Sequence, residues 1–161
     1  MAGGRAAGPR GFVMTTNEFR IARARAMDLP FVLSLLEDCG LPAEGVREHF
    51  ARFFVARLGG KRIGCVGVEV YGDEVLLRSL AVARHARNAG AGEALLSRAI
   101  AEARSAGGKT AWGLTTFGKK GLFDRFGFRV VPRCGAPPGL ARSSQLRGVC
   151  PESAVLIALA L

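Results

Sequence analysis

The residue types best suited to chemistry lie together in one stretch: Leu80-Ala81-Val82-Ala83-Arg84-His85-Ala86-Arg87-Asn88-Ala89-Gly90-Ala91-Gly92. An apolar run gives way to a basic turn, and the turn to closely spaced glycines. Such an arrangement suits a pyrophosphate. The first amides of a helix lack an acceptor one turn below, the helix dipole adds partial positive charge, and small residues let phosphate oxygens approach the backbone. Arg87 adds a full charge and a fork of donors for the same anion. A string Arg-x-x-Gly-x-Gly arises easily by chance in a chain with 22 glycines, so its meaning depends on what flanks it.

What flanks it is a strand and a helix. Glu74–Val82 is rich in large apolar residues and follows Tyr71-Gly72-Asp73, which predicts a mostly buried strand. From Gly90 the period changes. Ala91, Ala94, Leu95, Arg98, Ala99, Glu102 and Ala103 fall at helical spacing, predicting a helix of about 16 residues that ends near Gly107-Gly108.

The other elements follow in order. Residues 19–24 read as a first strand, and Met27-Asp28-Leu29-Pro30 as a helix start with Asp28 as N-cap and Pro30 in the first turn. Phe31, Leu35 and Leu36 form that helix's expected buried stripe, and a second short helix is expected over residues 43–52. Phe53–Leu58 and residues 63–71 predict a hairpin across Gly59-Gly60. Strands are expected at residues 109–115, 128–131 and 153–161, with a short helix over 119–125. The final apolar run is too short to span a membrane as a helix, so it belongs to a core sheet.

The spacing Leu80-x-Val82, four residues, Arg87-x-x-Gly90-x-Gly92, then Leu95-Leu96, resembles motif A of the GNAT superfamily of acetyl-CoA-dependent N-acetyltransferases. Arg84 stands where that family often has proline and Asn88 where it often has glycine. The order of elements over residues 19–161 is also similar to the GNAT fold. The resemblance implies one α/β acyl-CoA N-acyltransferase domain over residues 18–161, with a mixed, mostly antiparallel sheet of about seven strands flanked by about four helices. Residues 1–17 read as a disordered extension lacking the apolar core of a secretory signal, with Met14 a second candidate start. Four patches, residues 33–45, 68–82, 122–128 and 150–154, resemble the arsenic-resistance-associated members, relatives of the enzymes that N-acetylate glutamate. That likeness implies a substrate carrying an α-amine, without naming it.

The resemblance also distributes roles. The cofactor acetyl-CoA would meet the backbone of Leu80, Ala81 and Val82 on one side of a splay between two strands, and Thr115 and Thr116 on the other. Its pyrophosphate would sit on Arg87, Asn88, Ala89, Gly90, Ala91, Gly92 and Glu93. An acceptor amine must lose a proton before attacking the thioester, and the developing oxyanion needs a donor. The amide near Leu80 or Ala81 is the expected donor. Strand parity puts Glu74, Leu76, Arg78, Leu80 and Val82 on one face. Leu76 occupies the position where the family often has a carboxylate base, which leaves Glu74, one pleat earlier, to act through a water, or Glu69 on the preceding strand. Phe123 replaces the tyrosine that would protonate the departing thiolate. A thiolate is a tolerable leaving group without it, and Phe123 would pack against the pantetheine arm or within the core.

Arg78, on a strand expected to be buried, needs a carboxylate: the substrate's own, or that of Glu69 or Glu74. Ser79 and Arg147 are further candidate substrate contacts. Cysteines 39, 65, 134 and 150 show no zinc-site spacing, so no metal is expected, and reduced thiols in the cytoplasm are the default.

A net charge of +10 admits a rival from another class, a basic adaptor for nucleic acid or ribosomes. Its arginines are spread along the chain rather than gathered in a run, which argues against nucleic acid as a partner. Acetylation of a protein amine is a second rival. The expected partners are acetyl-CoA and a small amino-acid-like amine, with no membrane; a homodimer is compatible with the fold, although no interface is legible.

Overall fold

The computed structural model describes residues 19–149 and 154–161, so the expected N-terminal extension, Cys150 and Ser153 lie outside the described residues. Seven strands form one sheet: β1 (Phe19–Arg23), β2 (Phe53–Leu58), β3 (Lys61–Tyr71), β4 (Glu74–Val82), β5 (Thr110–Thr115), β6 (Arg129–Val131) and β7 (Val155–Ala160). Their spatial order is β1-β2-β3-β4-β5-β7-β6. Every neighbouring pair is antiparallel except β4 with β5, which are parallel, so the sheet is mixed and mostly antiparallel as expected.

Two helices cover opposite faces. Helix α2 (Ala91–Ser105) buries Leu95, Leu96, Ala99 and Ala103 against Phe54, Val66, Val75 and Leu77 of the sheet. Helix α1 (Leu29–Asp38) packs Val32, Leu35 and Leu36 on Phe53, Val55, Cys65 and Ala81 from the other side. Beside α1 on that face, Leu140 and Leu146 of the segment leading to β7 lie on Leu76, Trp112 and Leu156. A five-residue helix, α3 (Gly121–Arg125), follows β5.

Three local expectations are corrected. Asp28 holds the N-cap position of α1 as expected, but its side chain makes no cap bond there; it ends a short 3-10 turn (Ala26–Asp28), is fully buried, and accepts from the Arg25 amide at 2.8 Å and from Arg57 and Arg62 at 2.8 and 2.7 Å. A carboxylate facing two guanidiniums has a stronger claim than a cap. In the α1 stripe, Val32 takes the fully buried place and Phe31 lies at its edge. Residues 43–52 form turns and a 3-10 helix (Phe50–Arg52) instead of an α-helix, because Gly45 adopts a left-handed φ of +83° that no continuing helix tolerates.

The parity of β4 is the fourth correction. Cys65 pairs with Ala81 but Gly67 with Arg78, so two residues of β4, Ser79 and Leu80, oppose the single Val66. Ser79 takes the extra turn with φ +58°, a β-bulge that flips every side chain after it. Leu80 and Val82 therefore join Val75 and Leu77 toward α2, while Ala81 faces α1.

Candidate functional site

β4 and β5 pair only at Glu74↔Thr110, Val75↔Ala111 and Leu76↔Trp112. Beyond Leu76 they diverge, as the resemblance implied. The gap is the floor of a cleft of about 630 Å³, lined on one side by Leu77, Arg78, Ser79, Leu80, Ala81 and Val82 and on the other by Gly113, Leu114, Thr115 and Thr116. Bulge and splay together take this part of β4 out of a regular ladder, which leaves backbone groups for a ligand.

At one end the cleft meets the start of α2. A short 3-10 turn (Arg84–Ala86) leads from β4 to Asn88, at φ +65°, and Gly90, at φ +95°; Gly90 is the N-cap of α2. Arg87, Asn88, Ala91 and Gly92 line the cleft. The Ala94 amide bonds the Gly90 carbonyl at 3.0 Å, so the amides of Ala91, Gly92 and Glu93 precede the first helical bond. Arg87 is exposed but held: its Nε donates to the Val82 carbonyl at 2.9 Å and its Nη2 to Cys39 Sγ at 3.4 Å. The Glu93 side chain faces solvent and pairs with Arg125 at 3.0 Å, so only its amide belongs to the turn. Ala89 is exposed and Gly90 shapes the turn; neither lines the cleft.

Phe123 lines the cleft and also meets the Phe128 ring edge-on at 5.5 Å. Near Arg78 the cleft is lined by Leu41 and Pro42, just after α1, and by Gln145, the first residue of a π-helical turn (Gln145–Val149). Gln145 stands where Arg147 was expected; Arg147 is exposed and outside the lining.

Glu74 is corrected. It sits at the closed end of the β4–β5 pairing, outside the cleft, and its Oε1 accepts the Trp112 indole N–H at 2.7 Å. A buried indole donor needs an acceptor, and parallel pairing sets Glu74 two residues along from Trp112's partner. Glu69 is also outside the cleft, with its side chain wholly buried. Its Oε2 accepts from Arg78 Nη1 at 2.7 Å and its Oε1 from the Tyr71 hydroxyl at 2.5 Å. Burial alone would raise the Glu69 carboxyl, but hydrogen bonds from Ser143, Tyr71 and Arg78 and the nearby His49 outweigh it and hold the group below the usual range. It is a fixed anion and a poor base.

Arg78 thus has its carboxylate from the protein. Its remaining nitrogens reach Ser79 Oγ at 3.0 Å and the Pro42 carbonyl at 3.3 Å. The contributions of His49 and Ser143 were not foreseen. They come from turns distant in sequence, and only the closure of both turns over β3 brings them together.

Burial pushes the Cys65 thiol up to about 12, with Cys39 adding to the rise and Arg78 opposing it. Tyr71, the chain's single tyrosine, is raised to about 12 by burial and by the bond to and charge of Glu69. Lying outside the cleft, it is no substitute for the acid replaced by Phe123. Among the described residues no cluster of three His, Cys, Asp or Glu could hold a metal, and no helix is long and apolar enough to cross a membrane.

A parallel splay in a mixed sheet, meeting a glycine-opened helix, is the arrangement that the resemblance to the GNAT fold implied. The family model described as acetyltransferase (GNAT) domain matches residues 49–130, and the chain belongs to that family. An uncharacterised N-acetyltransferase of Chlorobaculum tepidum is 34% identical over 91 residues, 56% of this chain and 57% of that protein, so the chain spans little more than half of this curated relative's length. Among solved structures, a Mycobacterium tuberculosis protein in complex with CoA superposes with a TM-score of 0.72 at 23% identity, over 88% of this chain and 99% of that one. N-acetylglutamate synthase from Neisseria gonorrhoeae, complexed with coenzyme A and N-acetyl-glutamate, gives 0.74 at 22%, over 99% of this chain and 37% of that one. At these identities the structural likeness concerns the fold.

Proposed function

We propose that the protein transfers acetyl from acetyl-CoA to the α-amine of a small amino acid or analogue, by direct attack in a ternary complex. The observation that carries this reading is one cleft that is lined by the start of α2, the bulged segment of β4, and Pro42 and Gln145. The pyrophosphate sits on the amides of residues 91–93 with Arg87 beside it. The pantetheine arm lies in the splay between Leu80–Val82 and Thr115–Thr116, against Phe123. The amide of Leu80 or Ala81, beside the bulge, donates to the oxyanion.

Among the described lining residues there is no carboxylate or histidine, and the proposed mechanism hands the amine proton to water. The thiolate leaves unassisted. Ser79 Oγ is engaged by Arg78 and Cys39 Sγ by Arg87, which favours direct attack over an acetyl-enzyme. The amino-acid acceptor is supported by the synthase likeness and the sequence patches; a role in arsenic or toxin resistance, in the cytoplasm, is supported by the patches alone.

The test is calorimetric titration with acetyl-CoA at near-physiological salt, then thiol release across amino acids and their arsenical and phosphinic analogues. Micromolar binding with release for one acceptor is the expected result. Absence of binding defeats the reading and promotes the basic adaptor.

A further inference from the structure

The mouth of the cleft near Arg78 is built from two pieces of chain almost a hundred residues apart. One is the loop of residues 41–45 after α1; the other is the segment of residues 143–146. Each is tied to the same buried ion pair. Arg78 Nη2 donates to the Pro42 carbonyl at 3.3 Å, while its Nη1 meets Glu69 at 2.7 Å. Ser143, 1% exposed, lies against Glu69 from the other piece and helps to hold its carboxyl low, and its Oγ accepts the Gln145 amide at 3.2 Å. The two pieces also touch directly, with the Ser144 hydroxyl donating to the Glu44 carbonyl at 3.3 Å.

Gly45 shows how closely the loop is seated. A Cβ there would lie 2.7 Å from Arg78 Nη1 and 3.1 Å from Ser144 Oγ. Side chains of Arg78 and Glu69 are both wholly buried, so the pair is rigid on the scale of the mouth it supports. Cleft-lining Leu41 and Pro42 from one piece and Gln145 from the other are thus held through the Arg78–Glu69 pair.

We propose that the Arg78–Glu69 pair is a pin joining both walls of the acceptor mouth, and that Arg78 is a positioning residue that sets acceptor affinity through Pro42 and Gln145. This rests on the acetyltransferase reading above. A bidentate carboxylate clamp on the substrate, the other role open to Arg78, would require it to leave Glu69 uncompensated in the interior.

Arg78→Lys keeps a charge for Glu69 but lacks the second nitrogen for Pro42. It is expected to raise the acceptor KM about tenfold, with kcat and acetyl-CoA Kd held within about twofold. Amide hydrogen exchange should quicken together in residues 41–49 and 143–147. Ser144→Ala touches neither charge and keeps the test open if Arg78→Lys fails to fold; its expected rise in KM is about two- to threefold. An unchanged KM in folded variants overturns the pin, as does a common shift of KM, kcat and Kd or faster exchange in one segment alone. A wild-type chain that fails to bind acetyl-CoA overturns the enzymatic reading instead. The pin is then judged by exchange: coupled quickening supports it, and quickening in one segment overturns it.

Discussion

At the scale of single residues, Gly92 gives the cleanest probe of the cofactor cradle. Gly90 is a poor choice, because at φ +95° any side chain strains the backbone and confounds the result. A Cβ on Gly92 meets only Leu122 Cδ2, at 3.5 Å, and an acidic residue in the first turn favours the helix. Gly92→Glu is therefore expected to fold normally and to weaken acetyl-CoA binding about tenfold or more through charge repulsion, read by calorimetry beside a near-neutral Gly92→Ala. Arg78→Ala takes the guanidinium from buried Glu69, and should destabilise by about 3–5 kcal/mol in urea unfolding. The turn proposed as the cradle was legible in sequence because it is local: turn, glycines and arginine fall within six residues. The need of Arg78 for a carboxylate was equally legible, but not which one. That choice depends on Gly67 pairing with Arg78 and on Trp112 occupying Glu74, which are facts of register.

Among elements, strands and the long helix were legible from periodicity, and the errors fall where one residue breaks it. Counting by twos along β4 assigns Arg78 and Leu80 to one face. Ser79 at φ +58° adds a step to the strand, and nothing in Arg-Ser-Leu announces it. The loop over residues 43–52 likewise has a helical pattern overruled by one left-handed glycine. Close approach between elements can be tested at Gly67, where an added Cβ would run into the Phe53 ring that α1 packs upon. Gly67→Ala should cost about 1–3 kcal/mol by forcing ring or strand to shift, seen as a lower urea midpoint with unchanged slope.

For the molecule as a whole, charge governs how conditions act. Burial acts to raise the Asp28 carboxyl, but the Arg25 amide, Arg62 and Arg57 bring it below its ordinary value; Glu69 is lowered too. Both bind protons less readily folded than unfolded. Their stabilisation is complete above the unfolded carboxylate values near 4 and is lost as pH falls through the lower folded values. Urea midpoints measured from pH 7 downward should stay level to about pH 5 and then drop, and Glu69→Gln should flatten part of that drop. The net charge of +10 predicts that association with an anionic cofactor slows as salt rises, measurable by stopped flow. Only three residue pairs join β4 to β5, so the strands form two leaves on a short spine, one bearing α1 and α2, the other β5, β7 and β6. Heat should open the molecule along that spine. A ligand lodged between the leaves acts as a brace, so the melting temperature itself becomes a reporter of occupancy.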